Sequence, residues 1–183
     1  MKLALSLPLL LVTSADAACQ TRSHGSLIKP VGEGASDWDV SCVTDMTRMG
    51  AFEHMGGGGA LDISQANLNN WDVSKVTDMT EMFEQNHGFN SDISSWDVSK
   101  VTTMRMMFFN SINFNSDLST WDVSKVIDMR YMFCQCIKFN ADLGVWNVAK
   151  VTDMDNMFYQ NIVFNRNLGL WNVSKVMYFS GAF

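Results

Sequence analysis

The chain is poor in proline, histidine and basic residues, and each shortage narrows the class of protein. Its 183 residues include two Pro and three His, and 13 Lys and Arg stand against 19 Asp and Glu, for a net charge of −6. Both Pro precede the repeats described below, which leaves little room for a proline-rich linker. An acidic balance argues against a nucleic-acid partner, which requires a basic face.

Long apolar runs are also missing, apart from one at the N-terminus. Residues 1–18 combine a basic start at Lys2, an apolar run over 3–12 and small residues before Cys19, which is typical of a secretory signal peptide. The run is too short for a membrane span of roughly 20 residues. We therefore expect an exported chain, secreted or at the cell surface. Cys19 follows two Ala, so lipid anchoring at this residue stays open as the route to a membrane.

Cysteine is scarce as well, with four residues in the chain. A disulfide between Cys19 and Cys42 would fix the N-terminal segment to the repeats. Cys42 lies three repeats before Cys134 and Cys136, or about 14 Å at roughly 4.8 Å per stacked turn. That separation exceeds the Cα distance of about 7 Å that a disulfide tolerates. Cys134 and Cys136 are therefore expected as free thiols, with a strained local bridge as the alternative, and not as metal ligands.

The chain does contain a repeat, marked by tryptophan. Five Trp lie 25 residues apart: Trp71, Trp96, Trp121, Trp146 and Trp171. Trp38 lies 33 residues before the first of them, and the extra residues fall around the glycines at 56–59. A period of this length predicts a stack of units in which each contacts only its neighbours.

Within one unit the hydrophobic period changes along the chain. Trp96 and Val98 alternate with polar residues, which favours a strand, and Met104, Met107 and Phe108 follow the i, i+3, i+4 spacing of a short helix. The predicted fold class is thus α/β, a leucine-rich-repeat-like solenoid of about six 25-residue turns with a parallel β-sheet on one face and short helices on the other. The predicted divisions are a signal peptide over 1–18, a cap segment over 19–36 and the solenoid over 37–183, with its last repeat incomplete. The five Trp named above are predicted core residues, together with Met104, Phe108 and Phe114.

The complete motif, F-N-x-D-[IL]-S-x-W-D-V-S-K-V-T-D-M-x-x-M-F, resembles the BspA-type leucine-rich-repeat surface proteins, whose repeat is of the mycoplasma-lipoprotein type. The resemblance covers roughly residues 37–183. It implies a secreted or surface-attached protein with a binding or adhesion role, and it brings no catalytic residues. Val101 and its equivalents replace the usual Asn of leucine-rich repeats, which is a departure from the family pattern.

The side chains that flank each Trp are expected to point outward and form a candidate binding face. One row consists of Asp72, Asp97, Asp122 and Asn147, and the other changes from polar to apolar through Ser95, Thr120, Val145 and Leu170. Stacked carboxylates repel one another, and a row of Lys three residues further on compensates them. The alternative is that the Asp row binds a cation or another ligand.

Catalysis has little support in the sequence. The three His (His24, His54 and His87) recur with no Ser or Cys partner, and no phosphate-binding glycine loop follows a predicted strand. We expect a non-catalytic module without cofactor or metal, which binds an extracellular protein or glycan. The alternative is a structural or coat protein that assembles through the open ends of the stack. We also expect the chain to self-associate through its C-terminal edge, unless it is part of a longer array.

Overall fold

The computed structural model describes residues 40–50 and 66–182, and these residues contain no α-helix and no extended strand. Six residues pair in single parallel bridges, each with its equivalent in the next repeat: Asp45, Asp78, Thr103, Asp128, Asp153 and Tyr178. The predicted α/β solenoid with a sheet and helices is therefore wrong. Within these two ranges, no helix could cross a membrane. Trp38 and the predicted segments 1–18 and 19–36 lie outside the described residues.

The chain is instead a stack of units built almost entirely from turns. Units 2 to 5 comprise residues 68–92, 93–117, 118–142 and 143–167; the described parts of unit 1 are 40–50 and 66–67, and that of unit 6 is 168–182. Four consecutive backbone bonds join unit 3 to unit 4 at 2.8–3.0 Å. Their donors are the N–H groups of Met104, Met106, Phe108 and Asn110, and their acceptors are the carbonyls of Asp128, Arg130, Met132 and Cys134. These backbone groups are thus satisfied by the neighbouring unit.

The predicted helix does not form because, in each unit, one residue of the predicted segment has a left-handed backbone conformation. Met106, between Met104 and Met107, has φ of 55°, in the left-handed region that a right-handed helix excludes. Met107 N–H bonds to the Met104 carbonyl at 3.2 Å, an i to i+3 turn. The N–H of Met106 donates to Arg130 in the next unit and is lost to any helix. The same conformation recurs at Arg48, Glu81, Tyr131 and Asn156.

The predicted strand is replaced by two tight turns. In unit 4, the Trp121 N–H donates to the Leu118 carbonyl at 3.1 Å, and the Val126 N–H donates to the Val123 carbonyl at 2.9 Å. Alternation of buried and exposed side chains survives, because each turn directs its apolar end residues inward. The chain changes direction too often there for a sheet to form.

Aromatic columns fill the interior of the stack. The rings of Trp96 and Trp121 lie 6.3 Å apart and 4° from parallel, and each described Trp except Trp171 is buried. The ring centroids of Phe108 and Phe114 lie 3.9 Å apart within one unit. Their equivalents form the same pair in the units on either side. Met104, Phe108 and Phe114 are fully buried. Trp171 is half-buried in the last described unit, where no further unit covers it among the described residues.

Four of the Trp also have a fixed partner for their polar atom. The Trp121 Nε1 donates to the carbonyl of Ile93 in the preceding unit at 3.0 Å, and Trp96, Trp146 and Trp171 make the equivalent bond. A buried indole N–H without a partner would be costly, so this bond fixes the register of the stack as well as stabilising it.

Candidate functional site

The Asp row of the candidate face shapes the backbone of the unit. Asp97 is exposed, and its Oδ1 accepts the N–H of Ser99 two residues later at 3.0 Å. Asp72 and Asp122 make the same bond with Ser74 and Ser124. An Asp that bonds the backbone two residues later forms an Asx turn, a local alternative to regular structure.

Asparagine keeps this bond where the row loses its charge. Asn147 Oδ1 accepts the N–H of Ala149, and Asn172 Oδ1 accepts that of Ser174, both at 3.2 Å. Since Asp and Asn both supply the Oδ1 acceptor, a change between them along the row preserves the turn. The need for an Asx turn accounts for this row without any ligand.

The electrostatics of the row have the same local origin. Hydrogen bonds from Ser99, first through its side chain and then through its backbone, lower the pKa of Asp97. The corresponding Ser lower the pKa of Asp72 and Asp122, and the Lys row contributes less through charge. The charge of the Lys row thus acts in the same direction on these pKa values, but it is secondary to the Ser bonds.

We name the exposed surface around this row the Asp–Lys face. It consists of the Asp row (Asp72, Asp97, Asp122, Asn147), the Lys row (Lys75, Lys100, Lys125, Lys150, Lys175) and the row Ser95, Thr120, Val145 and Leu170; all these residues are exposed. Thr120 Oγ1 donates to the Ser94 carbonyl in the preceding unit at 2.6 Å, and Ser95 Oγ makes the corresponding bond at 3.3 Å. Val145 and Leu170 have no such donor, and they are 68% and 87% exposed.

A second charged group, which the sequence analysis did not identify, lies on another side of the units. Arg130 pairs with Asp128 at 2.7 Å and with Asp153 in the next unit at 3.3 Å. Arg48 pairs with the buried Glu81, and Arg105 approaches the same carboxylate at 3.9 Å. Burial raises the pKa of Asp153, while Arg130 acts against this shift. In the sequence, the 25-residue spacing of Arg105 and Arg130 is the signal that could have revealed this charged group.

The cysteines of the described residues fall into two kinds. Cys42 is disulfide-bonded, and Cys19, the partner that the sequence suggests, lies outside the described residues. Cys134 and Cys136 are buried free thiols, and burial raises the pKa of Cys134 to about 11. Cys136 Sγ donates to the Phe108 carbonyl at 2.8 Å, as the Ser111 hydroxyl donates to that of Phe83 in the unit before. Cys136 thus serves as a hydrogen-bond donor in the core.

Candidate sites for metal or catalysis remain few. Within residues 40–50 and 66–182, no three His, Cys, Asp or Glu residues come together in a way that could hold a metal ion. His87 is exposed, and His24 and His54 lie outside the described residues.

Comparison with known proteins identifies one family. The family model described as "Mycoplasma protein of unknown function, DUF285" matches residues 26–120, 50–158 and 113–183. No curated protein and no solved structure matches the chain. The family suggested by the resemblance, BspA-type leucine-rich repeats, is therefore wrong. Ile93, Trp96 and Val98 have the L-x-x-L-x-L spacing of leucine-rich repeats, but Ile93 and Trp96 close a turn here. The repeat itself is supported by the three overlapping matches.

Proposed function

We propose, from the premise that the chain belongs to this DUF285 family, that it is a non-catalytic binding module. It is exported, works outside the cell or at its surface, and binds an extracellular protein or glycan through the Asp–Lys face. The observation that carries this proposal is the gradient along that face, from hydroxyl-bearing side chains at Ser95 and Thr120 to exposed aliphatic ones at Val145 and Leu170.

The rigidity of the face supports a binding role. Each Asp on it is held by its own Asx turn, and the backbone from Leu118 to Val126 is closed by two tight turns. A partner therefore meets side chains whose backbone is already ordered, and binding costs less conformational entropy. Regular columns of side chains suit a partner that lies along the stack and contacts several units at once.

The apolar end of the face supports a contact surface more directly. A single exposed aliphatic side chain is ordinary on a protein surface, whereas grouped ones often mark an interaction site. Val145 and Leu170 occupy equivalent positions in adjacent units, so the apolar end of the face extends over two units.

The test is a protein and glycan array probed with the chain and with a Val145→Lys/Leu170→Lys variant. We expect at least a tenfold loss of affinity for the bound ligand in the variant. Val163→Lys is the matched control, because Lys138 already occupies the equivalent position in the preceding unit and Val163 lies off the Asp–Lys face. Equal binding by all three chains would refute the assignment of the face.

A structural protein that assembles end to end is the second candidate, and one observation favours it. In the last described unit, Val173, Met177 and Phe179 are exposed, although the equivalents of Val173 in units 2 to 5 are buried. Such a surface invites pairing with another chain. Light scattering at roughly 100 µM, a concentration that reveals weak association, should show large oligomers that Val173→Glu abolishes. A monomer under these conditions would exclude this candidate for the 183-residue chain.

A further inference from the structure

In units 3 to 5, one side of the stack carries no charged side chain. The ranges 106–112, 131–137 and 156–162 occupy equivalent places in units 3, 4 and 5, and none of their residues is Asp, Glu, Lys, Arg or His. We name their outward side chains the neutral face. They are Met106, Phe109, Asn110, Ile112, Tyr131, Gln135, Ile137, Asn156, Tyr159, Gln160 and Ile162, each exposed or half-buried.

The neutral face is a continuous surface. Phe109 contacts Tyr131 of the next unit edge to face at 6.4 Å, and Gln135 Nε2 donates to Gln160 Oε1 at 2.7 Å. Three isoleucines form one column whose exposure increases along the stack, from half-buried Ile112 through Ile137 (38%) to Ile162 (79%). Aromatic, Met and aliphatic side chains without charge are the composition of the centre of a protein–protein interface.

The charges at the border of the neutral face indicate which protein fits it. One column beside it reads Arg105, Arg130, Asp155 in successive units. Arg130, at the middle level, is neutralised by Asp128 and Asp153. The outer members are opposite in sign, and among the described residues the ion-pair partner of Arg105 is Glu81, at 3.9 Å. The column is positive at one end and negative at the other.

We propose that the neutral face binds a second copy of this chain in an antiparallel, two-fold symmetric dimer. A two-fold axis in the plane of the interface and perpendicular to the stack places each column against the same column of the other copy, with its levels reversed. Arg105 of each copy then faces Asp155 of the other, and Ile137 faces Ile137. A two-fold contact must be self-complementary in this way.

Most of the remaining pairs across the axis are compatible with this arrangement. Phe109 faces Tyr159 and Ile112 faces Ile162, so apolar side chains meet, and Asn110 faces Gln160, so amides meet. Met106 faces Asn156, which sets an apolar side chain against an amide. Lys138, the charged residue after Ile137, reaches along the stack to Asn113 Oδ1 at 2.7 Å. The Asp–Lys face is a different part of each unit, so it stays available to a ligand in the dimer, and this proposal does not depend on the proposed function.

Sedimentation measurements over roughly 1–100 µM, a range that covers weak and moderate affinities, test the interface. The chain should be a dimer, and Ile137→Glu, which places two carboxylates face to face on the axis, should raise the dissociation constant at least tenfold. Ile127→Glu is the matched control, because Ile127 is a similarly exposed isoleucine on the Asp–Lys side of the same unit. Val173→Glu, in the last described unit, should also leave the dimer intact. A monomer throughout, or a dimer that Ile137→Glu does not weaken, would overturn the proposal.

A charge exchange tests the orientation. Arg105→Asp and Asp155→Arg should each weaken the dimer, and the double variant should restore it, because the pairs across the axis are then reversed but complementary. Melting temperatures of all variants show whether the fold is retained. If the double variant dimerises no better than either single variant, the antiparallel arrangement is wrong.

Discussion

At each of several turns in a unit, one side-chain oxygen holds the backbone in the conformation of the turn. In the turn of the stack from 117 to 130, Asp117, Asp122 and Asp128 each accept a backbone N–H two residues later, at 2.9–3.0 Å. The row of Asp122 is visible in the sequence, where it indicates a surface charge pattern. A period of 25 residues shows that a position is required, but it does not distinguish a ligand from a turn.

The Asx turns predict a specific pH dependence. Because the folded state lowers the pKa of Asp72, Asp97 and Asp122 below the usual 3.8, the unfolded chain binds more protons in this range. Stability is therefore present above the ordinary pKa and is lost as the pH falls through the lower folded-state values.

The triple Asp→Asn variant at these positions should differ from the parent by less than about 1 kcal/mol at pH 7, since exposed charges contribute little. Its stability should fall less between about pH 5 and pH 2 than that of the parent. Urea titrations at several pH values measure both effects. Equal acid sensitivity of the two chains would contradict the assignment. The triple Asp→Ala variant, which lacks the acceptor, should lose stability at every pH.

The thiol of Cys136 predicts a second effect at the scale of one residue. Cys136→Ser should retain the parent's stability within about 1 kcal/mol, because Ser111 already donates from the equivalent position. Cys136→Val removes the donor, leaves the buried Phe108 carbonyl without it, and should cost about 1–3 kcal/mol. Denaturant titrations of the two variants measure the difference. Equal losses would mean that volume and not the hydrogen bond decides.

At the scale of the element, the spacing of the apolar residues fits both a helix and a pair of turns. Met104, Met107 and Phe108 point inward in a helix because of its 3.6-residue period. They also point inward in two overlapping turns, since a turn brings residues i and i+3 together. The deciding residue is Met106, which has a left-handed φ. A Met at this position does not indicate such a φ in the sequence. Gly, the usual indicator of positive φ, occupies the equivalent place only at Gly181.

A comparison of two substitutions at Met106 separates a turn from a helix. Both Met106→Ala and Met106→Gly remove the same packing, so the difference between them isolates the backbone. In a helix, Gly would be about 1 kcal/mol less stable than Ala. At φ of 55°, Gly should be the more stable of the two, by about 1 kcal/mol. Unfolding free energies of the pair decide, and a more stable Ala variant would contradict the turn structure.

At the scale of the whole molecule, the stack has a direction. Along the column through Met104, every N–H points to the following unit and every carbonyl it meets points back, so peptide groups align head to tail from Met46 to Tyr178. The period of the sequence predicted that units stack, because the spacing of Trp is independent of the secondary structure. The direction of the peptide groups depends on the positive φ values and could not be predicted from the sequence.

Each described unit contacts only its neighbours, and this arrangement predicts how the molecule unfolds. Trp121 stacks on Trp96 at 6.3 Å and donates to the Ile93 carbonyl, so its side chain joins unit 4 to unit 3. Trp121→Ala should cost about 3–5 kcal/mol. Because the stability of such a stack is a sum over units and their interfaces, the loss should split denaturation into two transitions on either side of this interface. Trp171→Ala is the control: Trp171 is half-buried and stacks on Trp146 in unit 5, so this change should loosen unit 6 and leave the main transition in place. A single transition for Trp121→Ala near the midpoint of the parent would show that the indole column does not hold the units together.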